Sequence, residues 1–144
     1  MKAAVLEEIG QPMVIDDVDV ADPIGREVLI DVKANGLCHS DLHLAENNFG
    51  TVLPAVYGHE LAGVVAAVGP NVTGFAVGDH VVGSLISHCG VCERCLGGRS
   101  YECRNRLATA RTPDQAPRLS RRGEPVTQVF SLSGFAEQTL VHEN

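Results

Sequence analysis

The chain has 144 residues, 44% of them hydrophobic and 20% charged, with a formal charge of −7 at pH 7. That length suits one domain with a sizeable core, and the balance excludes a disordered chain. No apolar run reaches the ~18 residues of a spanning helix, and the acidic total argues against general affinity for nucleic acid or anionic lipid.

The opening segment, Met1 to Glu8, turns acidic too early for a secretory signal, so the cytoplasm is the expected compartment. Lys2–Leu6 reads as a first strand closed by Ile9-Gly10-Gln11-Pro12, and Met13–Val20 as a second ending near Asp22-Pro23. Glu27–Asn35 is the clearest strand. Val28, Ile30, Val32 and Ala34 fall on one face, and Asp31, Lys33 and Asn35 on the other. Gly36 breaks it, and a short helix from Cys38-His39-Ser40-Asp41 to about Ala45 follows, with Ser40 or Asp41 as cap. Glu60–Val68 is apolar on both faces, a buried strand. Gly69-Pro70-Asn71 turns the chain, and His80–Leu85 makes another strand.

Residues 86–106 form a cysteine-rich lobe. Residues 107–128, with three prolines and little periodicity, read as a loop, and Phe130–Val141 returns to strand character. Short strands with Gly and Pro punctuation predict a mainly β barrel or sandwich. Eight of the eleven basic residues are arginines between Arg94 and Arg122, read as a solvated polar excursion.

Cys89, Cys92, Cys95 and Cys103 lie within fifteen residues, and Cys38 is the fifth cysteine. An odd count with this crowding predicts thiolates on a metal rather than a disulfide framework. Spacings of two, two and seven intervening residues let tight turns bring four sulfurs onto one tetrahedral ion, a closed structural site. Iron–sulfur proteins also use C-x2-C-x2-C runs, but their fourth cysteine usually comes sooner and precedes proline. Arg104 follows Cys103 here, which favours zinc.

Outside the lobe, Cys38, His59 and Glu60 supply a thiolate, an imidazole and a carboxylate, each at the start of an element. That donor mixture suits a catalytic zinc with an open position. A metalloprotease helix is excluded, because Gly63 stands where the second histidine is needed.

The segments Gly36–His43 and Gly58–Gly69, with the four-cysteine lobe at Cys89–Cys103, resemble the zinc-containing medium-chain dehydrogenase/reductase family. Within it they are closest to the alcohol dehydrogenases. The resemblance implies a GroES-like, partly open barrel over residues 1–144 with short helices and the zinc lobe at about 86–106. In that family a Rossmann domain for NAD(P) follows, and no G-x-G-x-x-G occurs in this chain. It implies catalytic zinc on Cys38 and His59 with Glu60 as a displaceable partner, Asp41 bonded to His59, Ser40 on the alcohol hydroxyl, and His43 passing its proton to solvent. His39 falls where the family contacts the cofactor pyrophosphate, and a histidine there makes a weaker contact than arginine. The implied activity is oxidation of alcohols to aldehydes or ketones, with zinc as Lewis acid and hydride passing to NAD(P). The expected partners are a small alcohol or aldehyde, without nucleic acid or membrane, in a homo-oligomer of the full-length enzyme. A fragment without the cofactor domain is expected to be inactive. The alternative is a non-catalytic zinc-binding module, either a scaffold or a nucleic-acid binder built on the lobe and its arginines.

Overall fold

The computed structural model describes residues 1–144. In chain order the elements are β1 (Lys2–Leu6), β2 (Val14–Asp17), β3 (Asp19–Val20), β4 (Glu27–Asn35), α1 (His39–Glu46), β5 (Ala55–Val56), β6 (Leu61–Val68) and β7 (His80–Val82). They continue with α2 (Glu93–Leu96), β8 (Leu119–Arg121), β9 (Glu124–Pro125), β10 (Thr127–Gln128) and β11 (Gln138–His142). Single 3₁₀ turns cover Ser100–Glu102, Arg106–Thr109 and Val129–Ser131. No helix is long and apolar enough to cross a membrane.

The strands form three open sheets, ordered β10-β5-β1-β2, β11-β4-β6-β7 and β3-β8-β9. None closes on itself, as the expectation of a partly open, mainly β fold requires. Three apolar clusters fill the interior: Ala3, Val5, Val18, Val56, Leu119 and Val126; Leu6, Ala45, Ala55, Tyr57 and Val129; and Val28, Ile30, Leu61, Val65 and Leu132.

Strand β4 has the bounds its alternation predicts, but the alternation holds only for its first half. Val28 and Ile30 are buried, Val32 is half-buried and Ala34 is exposed. Bulges between Leu29 and Ile30 and between Val32 and Ala34 turn the second half, and the inward side chains change with it. Strand β6 buries Leu61, Gly63 and Val65 and leaves the alternate residues half-buried, so it is covered on one face rather than two. The expected Met13–Val20 strand divides: β2 pairs with β1, while β3 joins β8 in another sheet. Val18 lies buried at the division. The His80–Leu85 strand ends at Val82.

The region downstream differs most from its sequence reading. The presumed loop 107–128 holds the β8–β9 hairpin and β10, which pairs in parallel with β5. Three of its four arginines turn inward, and Arg122 stays exposed. Arg111 and Arg118, 8% and 9% exposed, close on Glu27, itself 5% exposed, with N···O distances of 2.6 and 2.7 Å. Arg121 bonds Glu7 and Asp16. Burial alone would raise the Glu27 pKa. Hydrogen bonds from Arg111, the Ile24 N–H and Arg118, with the Arg118 charge, outweigh it and hold the carboxyl below the usual glutamate value. The expected strand Phe130–Val141 is replaced at its start by a left-handed turn, with φ of 54°, 58° and 56° at Phe130, Ser131 and Ser133. Regular pairing resumes only at β11.

Candidate metal centres

The lobe places Cys89, Cys92, Cys95 and Cys103 with their sulfurs within 4.8 Å of one another. Short turns suffice, because α2 and the Ser100–Glu102 turn carry the intervening residues and bury none of them. None of the five cysteines is in a disulfide. The Cys92–Cys95 and Cys89–Cys95 sulfur pairs are 3.4 and 3.9 Å apart. A tetrahedral ion with ~2.3 Å bonds to sulfur wants ligands ~3.8 Å apart, so the donors fit zinc. The thiols are also split in acidity. N–H groups of Arg104 and Cys95 bring Cys92 down to about 6, while burial and the Cys92 sulfur push Cys95 up to about 12. Four crowded sulfurs resist carrying four negative charges, and a divalent cation removes that conflict. Surface ion pairs Arg94–Glu102 and Arg104–Glu93, both at 2.9 Å, brace the outside of the lobe.

The second site is assembled from distant parts of the chain. Cys38 occupies the N-cap position of α1, with extended φ and ψ and no side-chain cap. Neither Ser40 nor Asp41 caps the helix, because both turn toward His59. Asp41 Oδ1 lies 3.0 Å from His59 Nδ1 and also accepts the Gly58 N–H at 3.2 Å. With Nδ1–H donated to that carboxylate, Nε2 presents its lone pair on the far side of the ring. Ser40 Oγ stands there, 3.3 Å from Nε2 and 3.1 Å from Cys38 Sγ. The donor atoms of Cys38, His59 and Glu60 lie within 4.8 Å of one another.

Two glycines make this convergence sterically feasible. Gly58 has φ +94° and packs so closely on the Gly134–Phe135 backbone that a Cβ would lie 2.6 Å from Phe135 N. Gly36 gives way to Glu60, whose Oε2 would stand 2.0 Å from an added Cβ. Gly36 and Gly58 thus mark backbone and side chains in direct contact.

His39 and His43 stand apart from this network. Both rings are exposed, stacked on each other at 6.4 Å, with Phe49 5.2 Å beyond His43. Neither ring makes a hydrogen bond to Ser40. A residue that sequence reasoning missed lies against the site instead: Phe130, its ring 5.0 Å from the His59 ring and tilted 73° to it. Its only sequence signal is the failure of strand alternation in Val129-Phe130-Ser131-Leu132.

Residues 25–144 match the alcohol dehydrogenase GroES-like domain family. The NDMA-dependent alcohol dehydrogenase of Amycolatopsis methanolica is 41% identical over 99% of this chain and 39% of that protein. Alcohol dehydrogenase class-3 of Drosophila melanogaster is 39% identical over 97% of this chain and 38% of that protein. Among solved structures, an alcohol dehydrogenase zinc-binding domain protein from Burkholderia ambifaria superposes with a TM-score of 0.85 at 41% identity, covering 99% of this chain and 40% of that one. The benzyl alcohol dehydrogenase of Acinetobacter calcoaceticus gives 0.81 at 34% identity, covering 99% and 39%. The chain spans about two-fifths of the length of these relatives. It belongs to the alcohol dehydrogenase GroES-like domain family.

Proposed function

We propose that residues 1–144 are the GroES-like catalytic domain of a zinc-dependent alcohol dehydrogenase that oxidises small alcohols to aldehydes or ketones with NAD(P). The observation that carries this reading is the convergence of Cys38, His59 and Glu60 within 4.8 Å, with His59 Nδ1 held by Asp41. Cys38 and His59 would hold the catalytic zinc, with Glu60 as the ligand that yields to substrate, and the four lobe cysteines would hold the structural one. Bound there, zinc supplies Lewis-acid polarisation of an alcohol oxygen.

The chain's own residues do the rest. Asp41 fixes the tautomer and ring orientation of His59, as carboxylates behind metal-bound histidines do. Ser40, between Cys38 Sγ and His59 Nε2, is placed to accept a hydrogen bond from the alcohol hydroxyl and take up its proton. His43 would pass that proton to solvent. No hydrogen bond links it to Ser40, so transfer between them needs a bridging hydroxyl or water. His39, exposed beside it, would meet the cofactor's pyrophosphate. The nicotinamide site itself is assigned to a Rossmann domain outside these residues, which contain no dinucleotide fingerprint.

The competing reading, a zinc module that grips nucleic acid through its arginines, is disfavoured by their pairing. Arg94, Arg99, Arg104, Arg111, Arg118, Arg121 and Arg122 each have a carboxylate within salt-bridge distance.

The test joins residues 1–144 to the remaining part of an alcohol dehydrogenase relative. Alcohol-dependent reduction of NAD(P) is expected, and Cys38→Ser should abolish it. The 144 residues alone should show no turnover. A chimera that binds zinc at both sites yet oxidises no alcohol would sink the reading.

A further inference from the structure

Three of the four residues from Phe130 to Ser133 have left-handed backbone angles, and none is glycine: Phe130, Ser131 and Ser133. L-residues avoid that region, and such outliers persist only where the surroundings impose them. Here the surroundings are polar side chains buried in an apolar interior. Ser133 and Thr139 are both fully buried. Ser133 Oγ donates to Val56 O at 2.9 Å, and Thr139 Oγ1 donates to Leu132 O. Gln128 Nε2 reaches Leu132 O at 3.3 Å, Thr139 Oγ1 at 3.0 Å and Leu140 O at 2.9 Å. The end of the turn is then laced to the segment before His59, with Gly134 N donating to Gly58 O at 2.7 Å and Phe135 N to Tyr57 O at 2.9 Å. Besides seating Leu132 in the core, this machinery sets Phe130 in place. Phe130 packs on the His59 ring at 5.0 Å and keeps 37% of its surface exposed.

We infer that Phe130 is a positioning residue for His59. The left-handed turn at 130–133, pinned by Gln128, Ser133 and Thr139, exists to press an aromatic ring against the imidazole and hold Nε2 on the metal. The inference rests on the reading of His59 as a ligand. The hydrogen bond to Asp41 restrains only one ring nitrogen, and the ring can still rock about that bond. A tilted aromatic neighbour blocks the rocking by contact and by its favourable edge-to-face electrostatics. His59 is thus clamped by a charge on one side and a hydrocarbon wall on the other.

The test titrates the 144-residue protein with zinc against a competing chelator, resolving two dissociation constants. Cys38→Ser identifies the one that belongs to the His59 site, and the four-cysteine lobe serves as internal control. Phe130→Ala should weaken the His59 site about tenfold, as removal of a supporting partner does, and leave the lobe constant unchanged. Phe130→Tyr should keep the affinity. Ser133→Ala should weaken the same site alone, and in the Phe130→Ala background it should add nothing, because both changes act through one contact. Unchanged affinity in Phe130→Ala overturns the inference, as does a loss shared equally by both sites in step with a fall in Tm. A wild-type protein that binds zinc only at the lobe overturns the ligand reading itself, a result separate from either.

Discussion

The two thiol-bearing regions are built on opposite plans. The lobe collects its four sulfurs from Cys89–Cys103 with turns of its own, and α2 inside it buries no residue. The Cys38–His59 site draws Cys38 from the start of α1, His59 from the link between β5 and β6, and Phe130 from a turn beyond β10. Its glycines and buried hydroxyls hold the parts in contact. A local site needs an ion to give its loop a reason to order, whereas a non-local site needs the whole fold before it can meet an ion. The difference sets what each should lose under attack.

Metal removal should separate them most. Zinc on a sulfur site of this kind contributes apparent binding energies of ~10–16 kcal/mol in small peptides, and here little packing stands behind it. Chelation, or Cys92→Ser, should therefore strip amide-exchange protection from residues 89–103 while β4 and β6 remain protected. Persistent protection across 89–103 in the metal-free protein would show that packing holds the lobe, and the contrast would collapse.

An attack on the scaffold should do the reverse. Glu27 opens β4 and is buried between Arg111 and Arg118. Arg111→Ala leaves that carboxylate with one cation, and breaking a buried pair costs about 3–5 kcal/mol. Denaturant unfolding should show that loss, while the lobe keeps its zinc under native conditions. Acid sharpens the point. The folded Glu27 pKa lies below its unfolded value, so the unfolded chain binds more protons in the interval between them. The stabilisation is complete above the ordinary glutamate value of ~4.3 and disappears as pH falls through the lower folded one. In Arg111→Ala this acid limb should flatten. An unaltered limb would mean that Glu27 does not set it.

These arginines also show why part of the molecule was legible and part was not. The lobe could be read because its donors sit in one short window, and spacing in the sequence is nearly distance in space. The bounds of β4 and the position of α1 followed from local periodicity and a glycine break. Ion pairs such as Glu27 with Arg111 join residues 84 positions apart, and nothing in the local pattern distinguishes an inward arginine from a solvated one. The same holds for Phe130: the break in alternation at Val129-Phe130-Ser131-Leu132 does not say where the ring goes, which the hydrogen bonds of Gln128, Ser133 and Thr139 decide. Cys38 and His59 could be grouped by donor chemistry alone, but the resemblance made the grouping specific, since a lone cysteine and a lone histidine carry no spacing between them.

A smaller effect tests how His59 is oriented. Asp41→Asn keeps the shape of the side chain but removes the charge that favours Nδ1–H. Zinc affinity at Cys38–His59 should fall by ~10–100-fold, with the lobe constant unmoved. An equal fall at both sites would mark a general loss of structure instead.

The smallest expected change concerns Tyr57, two residues before His59. Its ring lies fully buried with Leu6, Ala45, Ala55 and Val129, and its hydroxyl has no hydrogen-bond partner. A buried donor left unpaired costs about 1–3 kcal/mol, a penalty that Phe does not carry. Tyr57→Phe keeps the ring and its packing, so stability should rise by about 1 kcal/mol, read as a higher denaturation midpoint at constant m. Zinc affinity at both sites should stay the same, because the His59 geometry runs through Asp41, Gly58 and Phe130 rather than through the phenol. A variant less stable than wild type would reveal a partner for the hydroxyl. If only the His59 site also weakened, the phenol would belong to the scaffold that aims the imidazole, and that scaffold would extend one layer deeper into the core.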